Sequence, residues 1–98
     1  MVTKNEARSR YELAIDGRIA FSQYERRGSE IVFLHTEVPP ELEGRGLGSI
    51  LARAALDDAR AGRLTVVPRC RFIRAYIERH PEYLDIVEPG YRELIAPA

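Results

Sequence analysis

The feature that most limits this chain is the run Pro39-Pro40-Glu41-Leu42-Glu43-Gly44-Arg45-Gly46-Leu47-Gly48-Ser49. The apolar stretch Ile31-Val32-Phe33-Leu34-His35-Thr36-Glu37-Val38 leads into it, and a helical pattern from Leu47 to Ala61 leads out. Three alternating glycines therefore stand where a strand hands over to a helix. The first amide N–H groups of a helix lack internal partners, and the helix dipole adds partial positive charge there. Glycine takes positive φ and lets bare backbone approach a ligand. Residues Glu43, Gly44, Arg45, Gly46, Leu47, Gly48 and Ser49 thus form a candidate phosphate or pyrophosphate cradle. Arg45 is placed to add a two-pronged phosphate contact. The competing reading is a loop that only turns a corner.

The remaining pattern sets the frame around this loop. Residues 1–6 read as a loose tail. Tyr11, Leu13 and Ile15 alternate with polar residues, as in a half-buried strand. Asp16-Gly17 predicts a hairpin turn into a second strand, Arg18 to Arg27, with Ile19, Phe21 and Tyr24 as its bulky members. Glu30 to Val38 is the third strand, apolar on nearly every position from Ile31 to Leu34, and Pro39-Pro40 stops it. The outer edge of the first strand is left open to pairing. In the following helix Ser49, Arg53, Asp57 and Arg60 form a polar stripe, with Leu47, Ile50, Leu51, Ala54 and Ala55 opposite. Gly62 ends it. Leu64 to Val67 is a short buried strand, and one crossover helix makes it parallel to the third. A second helix spans about Cys70 to Arg79, with Phe72, Ile73, Tyr76 and Ile77 on its apolar side. Residues 81–87 form one more turn, and the segment from Glu88, with Pro89, Gly90 and Pro97, reads as loose. The expected fold class is α/β (α+β): a mixed, mostly antiparallel sheet of about four strands with a crossover helix and a C-terminal helix.

Bulk properties narrow the function. The chain has 98 residues, which fits a single domain. Fifteen basic and fifteen acidic residues cancel, which argues against nucleic-acid binding through overall charge. No apolar run approaches the ~20 residues of a membrane span. Cys70 is the only cysteine, so it forms no internal disulfide. Together these read as a soluble cytoplasmic protein. Two histidines 45 residues apart and one cysteine make a poor metal-ligand set.

Four strings now carry a resemblance: His35-Thr36-Glu37-Val38-Pro39-Pro40, Glu43-Gly44-Arg45-Gly46-Leu47-Gly48, Val67-Pro68-Arg69-Cys70 and Tyr76-Ile77-Glu78-Arg79-His80-Pro81-Glu82-Tyr83. In order and spacing they resemble the small, single-domain subfamily of the Gcn5-related N-acetyltransferases. The resemblance covers about residues 8–87 and implies an acyl-CoA N-acyltransferase-like core. It implies acetyl-CoA or CoA as ligand, held by a loop of pattern Q/R-x-x-G-x-G/A. Gly46 and Gly48 match the glycines, but Glu43 stands at the Gln/Arg position, and Arg45 is the available replacement. The backbone at Val38 is implied to pair with pantetheine amides. The larger family places two helices between its first two strands, which help wall the acceptor site. Here Asp16-Gly17 joins those strands directly, so the expected site is open, or completed by a partner protein.

Individual residues keep two readings each. Cys70 follows a strand, opens a helix and is flanked by Arg69 and Arg71, all of which favour a thiolate. It is either an active-site group beside the thioester or a small half-buried core residue. His35 and Glu37 lie two apart on one side of a strand; each is a candidate general base for an acceptor ammonium, or a structural group on a solvated face. Tyr76 resembles the tyrosine that protonates the leaving CoA thiolate in the larger family. It sits one residue short of the usual spacing, and a core tyrosine is the other reading. His80 suits a helix C-terminus. The expected activity is transfer of an acetyl group to an amine, whether a spermine-like molecule, a peptide N-terminus or a protein lysine. The rival is a non-catalytic module that binds CoA or docks onto a partner.

Overall fold

The computed structural model of the chain describes residues 1–95. Five strands form one sheet in sequence order. β1 (Val2–Asn5), β2 (Arg10–Ile15), β3 (Arg18–Arg27) and β4 (Glu30–Glu37) are antiparallel, each to the next. β5 (Thr65–Pro68) runs parallel to β4, as the single crossover helix requires. That helix is α1 (Leu47–Ala61). α2 (Arg71–Arg79) follows β5, and after a 3₁₀ turn at Pro81–Ile86 comes α3 (Pro89–Ile95). The mixed sheet and the two helices match expectation.

Two segments expected to be loose are ordered. Residues 2–5 form β1, with Val2 opposite Leu13 and Lys4 opposite Tyr11. β1 therefore covers the edge of β2 that the pattern left open, and the sheet has five strands rather than four. Four residues are too few to show a strand period, so local pattern could not find β1. Residues 89–95 form α3, with Ile95 buried. Pro97 lies outside the described residues.

The turn at Asp16-Gly17 forms as expected. Both residues have positive φ, 53° and 74°, which suits the right-handed twist of the flanking strands. β3 then alternates strictly. Ala20, Ser22 and Tyr24 are buried, while Ile19 is 44% exposed and Phe21 half-buried. The bulky residues of β3 thus divide between two faces, and Tyr24 alone of the three joins the core. Tyr11, Leu13, Ala20, Tyr24, Ile31, Phe33 and Val66 share one apolar cluster with the buried residues of all three helices. The other face carries Arg10, Glu12, Ile19, Phe21, Gln23, His35 and Glu37. It contributes nothing to that cluster.

α1 lies on the core face. Leu47, Leu51, Ala55 and Leu56 are buried, but Ile50 is 48% exposed, contrary to the expected stripe. Successive carboxylates fasten its far half on two sides. Asp58 accepts from the Tyr11 hydroxyl at 2.6 Å and pairs with Lys4 Nζ at 3.1 Å. Asp57 accepts from the Tyr83 hydroxyl at 2.5 Å. Arg60 grips Asp85 with both terminal nitrogens, at 2.7 and 2.9 Å, and donates to the Glu82 carbonyl. Burial and the Asp58 bond push the Tyr11 pKa up, and the same bond, with help from Lys4, holds Asp58 below its ordinary range.

Candidate active site

The site begins with an irregularity in β4. Gln23 pairs with His35, yet the next residue, Tyr24, pairs with Phe33. Leu34 has no partner and is a β-bulge. Simple alternation would put His35 and Glu37 on the core face with Ile31 and Phe33. The extra residue inverts the pattern, so Thr36 turns to the core face opposite Ser22, and His35 and Glu37 turn to the other. The expected common side of His35 and Glu37 holds. Their side chains are 58% and 61% exposed, and Nε2 of His35 lies 3.3 Å from Oε1 of Glu37. The His35 ring meets Phe21 edge-on, with centroids 6.2 Å apart, and the Arg10 guanidinium sits 4.5 Å from the Phe21 centroid.

Pairing between β4 and β5 ends at Phe33–Pro68, and one more bond, Cys70 N–H to the Phe33 carbonyl at 2.8 Å, closes that junction. From Leu34 to Glu37 the β5-side edge of β4 has no strand beside it among the described residues. A strand edge with unpaired N–H and C=O groups is a template for an extended amide-bearing ligand. Cys70 sits at the head of this gap as the N-cap of α2 and is only 5% exposed. Its Sγ lies 3.4 Å from Thr36 Oγ1, and Thr36 donates to Ser22 Oγ at 3.0 Å. Cys70 is thus brought together with Thr36 and Ser22, while His35 and Glu37 lie across the sheet.

The glycine loop lies beyond the other end of the gap. Gly44 and Gly46 have φ of 84° and 73°, and nothing stands within 4 Å of where a Cβ would project. Gly46 is the N-cap of α1; no side chain caps the helix, and its first turn holds no acidic residue. A 280 Å³ groove opens on this end, lined by Val38, Leu42, Glu43, Phe72, Gly44 and the run from Gly46 to Ser49. Bare amides, an uncapped dipole and open space fit a pyrophosphate. None of the lining side chains is basic. Arg45 points elsewhere, its guanidinium 3.5 Å from Asp16. Gly48 has a different reason to be glycine: a Cβ there would meet the Phe72 ring at 2.6 Å.

Tyr76 is 4% exposed, stacked on His80 with centroids 4.1 Å apart and tilted against Tyr83 at 6.2 Å. Burial pushes its hydroxyl pKa up, with smaller influences from Arg53 and Asp57 of α1. It lies six residues along α2 from Cys70, about 9 Å of helix rise. Its ring neighbours are those of a packing residue between α2 and the 3₁₀ turn that follows it. Sequence reasoning gave Thr36 and Ser22 no site role and read Phe72 only as part of the apolar side of the second helix. The one signal for Ser22 was a small polar residue at an inward position between Ala20 and Tyr24. Among the described residues, no group of three or more His, Cys, Asp or Glu is arranged to hold a metal, and no helix is long and apolar enough to cross a membrane.

A sheet that parts beside a bulged strand, next to a glycine loop at a bare helix end, is the geometry of an acetyltransferase-type fold. A family model described as GCN5-related N-acetyl-transferase matches residues 10–86, and the chain belongs to that family. Protein NATD1 of Gallus gallus and of Homo sapiens are each 41% identical to the chain over 69 residues, 67% of its length. Those residues are 63% and 61% of the two relatives, so the chain matches less than two thirds of their length. A GCN5-like protein of Staphylococcus aureus, solved by NMR in solution, superposes with a TM-score of 0.70 at 26% identity, over 90% of this chain and 87% of that one.

Proposed function

We propose that the chain binds acetyl-CoA and transfers its acetyl group to an amine. The observation that carries this reading is the continuity of three features. The uncapped α1 end with its glycine groove, the unpaired β4 edge and the buried Cys70 follow one another along a single line of backbone. In this reading the amides of residues 46–49 hold the pyrophosphate. The backbone about Val38 pairs with pantetheine, and the thioester comes to rest near Cys70. His35 or Glu37, on the opposite face, takes the proton from the acceptor ammonium. The test is calorimetric titration with acetyl-CoA and with CoA, repeated with Gly46→Glu. Binding by the wild type and its loss in the variant is the expected result; no binding to either ligand overturns the proposal. Release of free CoA on adding an amine then reports transfer. Residual transfer in Cys70→Ala marks a direct route, and none marks an acetyl-cysteine.

A second reading has a specific observation behind it. The face bearing His35 and Glu37 adds nothing to the core that the helices share, and β2 and β3 are joined by a two-residue turn with no helix between them. A module that binds CoA and borrows its acceptor wall from a partner would look the same. Tight CoA binding without transfer to spermine, a peptide N-terminus or a lysine peptide favours it.

A further inference from the structure

Apart from tyrosine hydroxyls and Cys70, Ser22 is the one buried polar side chain among the described residues, and it is fully inaccessible. Alanine, as at Ala20 two residues earlier on the same face, would fill such a position at no polar cost. A fully buried aliphatic hydroxyl on the core face is the informative exception, and its surroundings give the reason. Its partner is Thr36, and the other neighbour of Thr36 is Cys70 Sγ. Thr36 reaches this place only because the Leu34 bulge turns it inward.

We propose that Thr36, backed by Ser22, is a positioning residue that holds the Cys70 sulfur through a two-hydroxyl relay. A hydroxyl carries one proton and two acceptor sites. The Thr36 proton goes to Ser22, so the Thr36 oxygen faces Cys70 as an acceptor, and the S–H donates to it. When the sulfur gives up its proton to water at the 5% of Cys70 that is exposed, the Thr36 hydroxyl turns about its C–O bond and donates to the sulfur, and Ser22 donates to Thr36. No heavy atom moves. The relay serves both states of a sulfur that burial would otherwise leave without a partner. The relevance to transfer rests on the proposed place of the thioester near Cys70; the relay itself does not.

The closing experiment reads Cys70 alone, which a single-cysteine chain permits. The infrared S–H stretch and the rate of alkylation by iodoacetamide at fixed pH are measured on the whole chain without CoA. They are compared in wild type, Thr36→Val, Thr36→Ser and Ser22→Ala. The S–H band is expected to rise in frequency in Thr36→Val, with alkylation slowed about tenfold, the effect of one lost hydrogen bond to a charged acceptor. Thr36→Ser is expected to restore both. If Thr36→Val does not fold, Ser22→Ala carries the test, because the freed Thr36 proton then turns to the sulfur and the S–H loses its acceptor, raising the band. A band and rate unmoved in a folded Thr36→Val, or a band unmoved in Ser22→Ala, overturn the relay. Failure of CoA binding with the band shifts intact would overturn only the proposed function.

Discussion

Gly48 on α1 and Phe72 on α2 touch where a side chain on the first would collide with the second: a Cβ on Gly48 would lie 2.6 Å from the ring Cζ. Both residues line the groove at the helix end. Gly48→Ala is therefore expected to displace the ring and cost about 1–2 kcal/mol, as modest over-packing does. Urea denaturation would measure it. A variant as stable as the wild type would mean that the ring swings aside freely.

Gly46 answers to backbone rather than to neighbours. At φ of 73° with open space around it, Gly46→Ala is expected to cost about 1 kcal/mol through strain alone. The paired control is Gly62→Ala, whose φ of −83° any residue adopts. Denaturation midpoints should fall for the first and stay for the second.

The grip of Asp58 on Tyr11 predicts an acid limb. The folded carboxyl lies below its unfolded value, so its contribution is complete above about pH 4 and is lost as pH falls through the folded value. Tyr11→Phe removes the largest cause. It should lower stability at neutral pH by about 1–2 kcal/mol and flatten the decline in acid. Thermal melts from pH 2 to 7 would show both effects, and an unchanged slope in the variant would refute the assignment.

An alkaline limb follows from Tyr83, whose pKa burial and the Asp57 bond push up to about 12. A raised pKa stabilises fully below the unfolded value near 10 and ceases to do so as pH rises to the folded one. Melting temperature should drop between pH 10 and 12. Tyr83→Phe should reduce that drop, with tyrosinate absorbance at matched pH as the check.

How much of this was legible beforehand depends on the range of each interaction. The turn at Asp16-Gly17, the helix from Leu47 and the parallel strand after it were written in local pattern, and the structure has them. The glycine loop was legible too, because strand, glycines and helix adjoin in sequence. β1 was not, since its pairing with residues 10–13 replaces any period of its own. The inward turn of Thr36 was not, since a bulge leaves no mark on composition: only the partner strand, through Gln23 and Tyr24, reveals that Leu34 is surplus. Arg45 read as a phosphate ligand on proximity in sequence; the fold turns it to Asp16, 29 residues away.

The sheet face that carries His35 and Glu37 has one more consequence for the proposed chemistry. A thioester held in the gap beside β4 would be walled by protein on one side and by solvent on the other. Water would then reach the reactive carbon by the route an amine takes, and at far higher concentration. Slow hydrolysis of acetyl-CoA, without any acceptor, is the cost such a sheet carries until something covers that face.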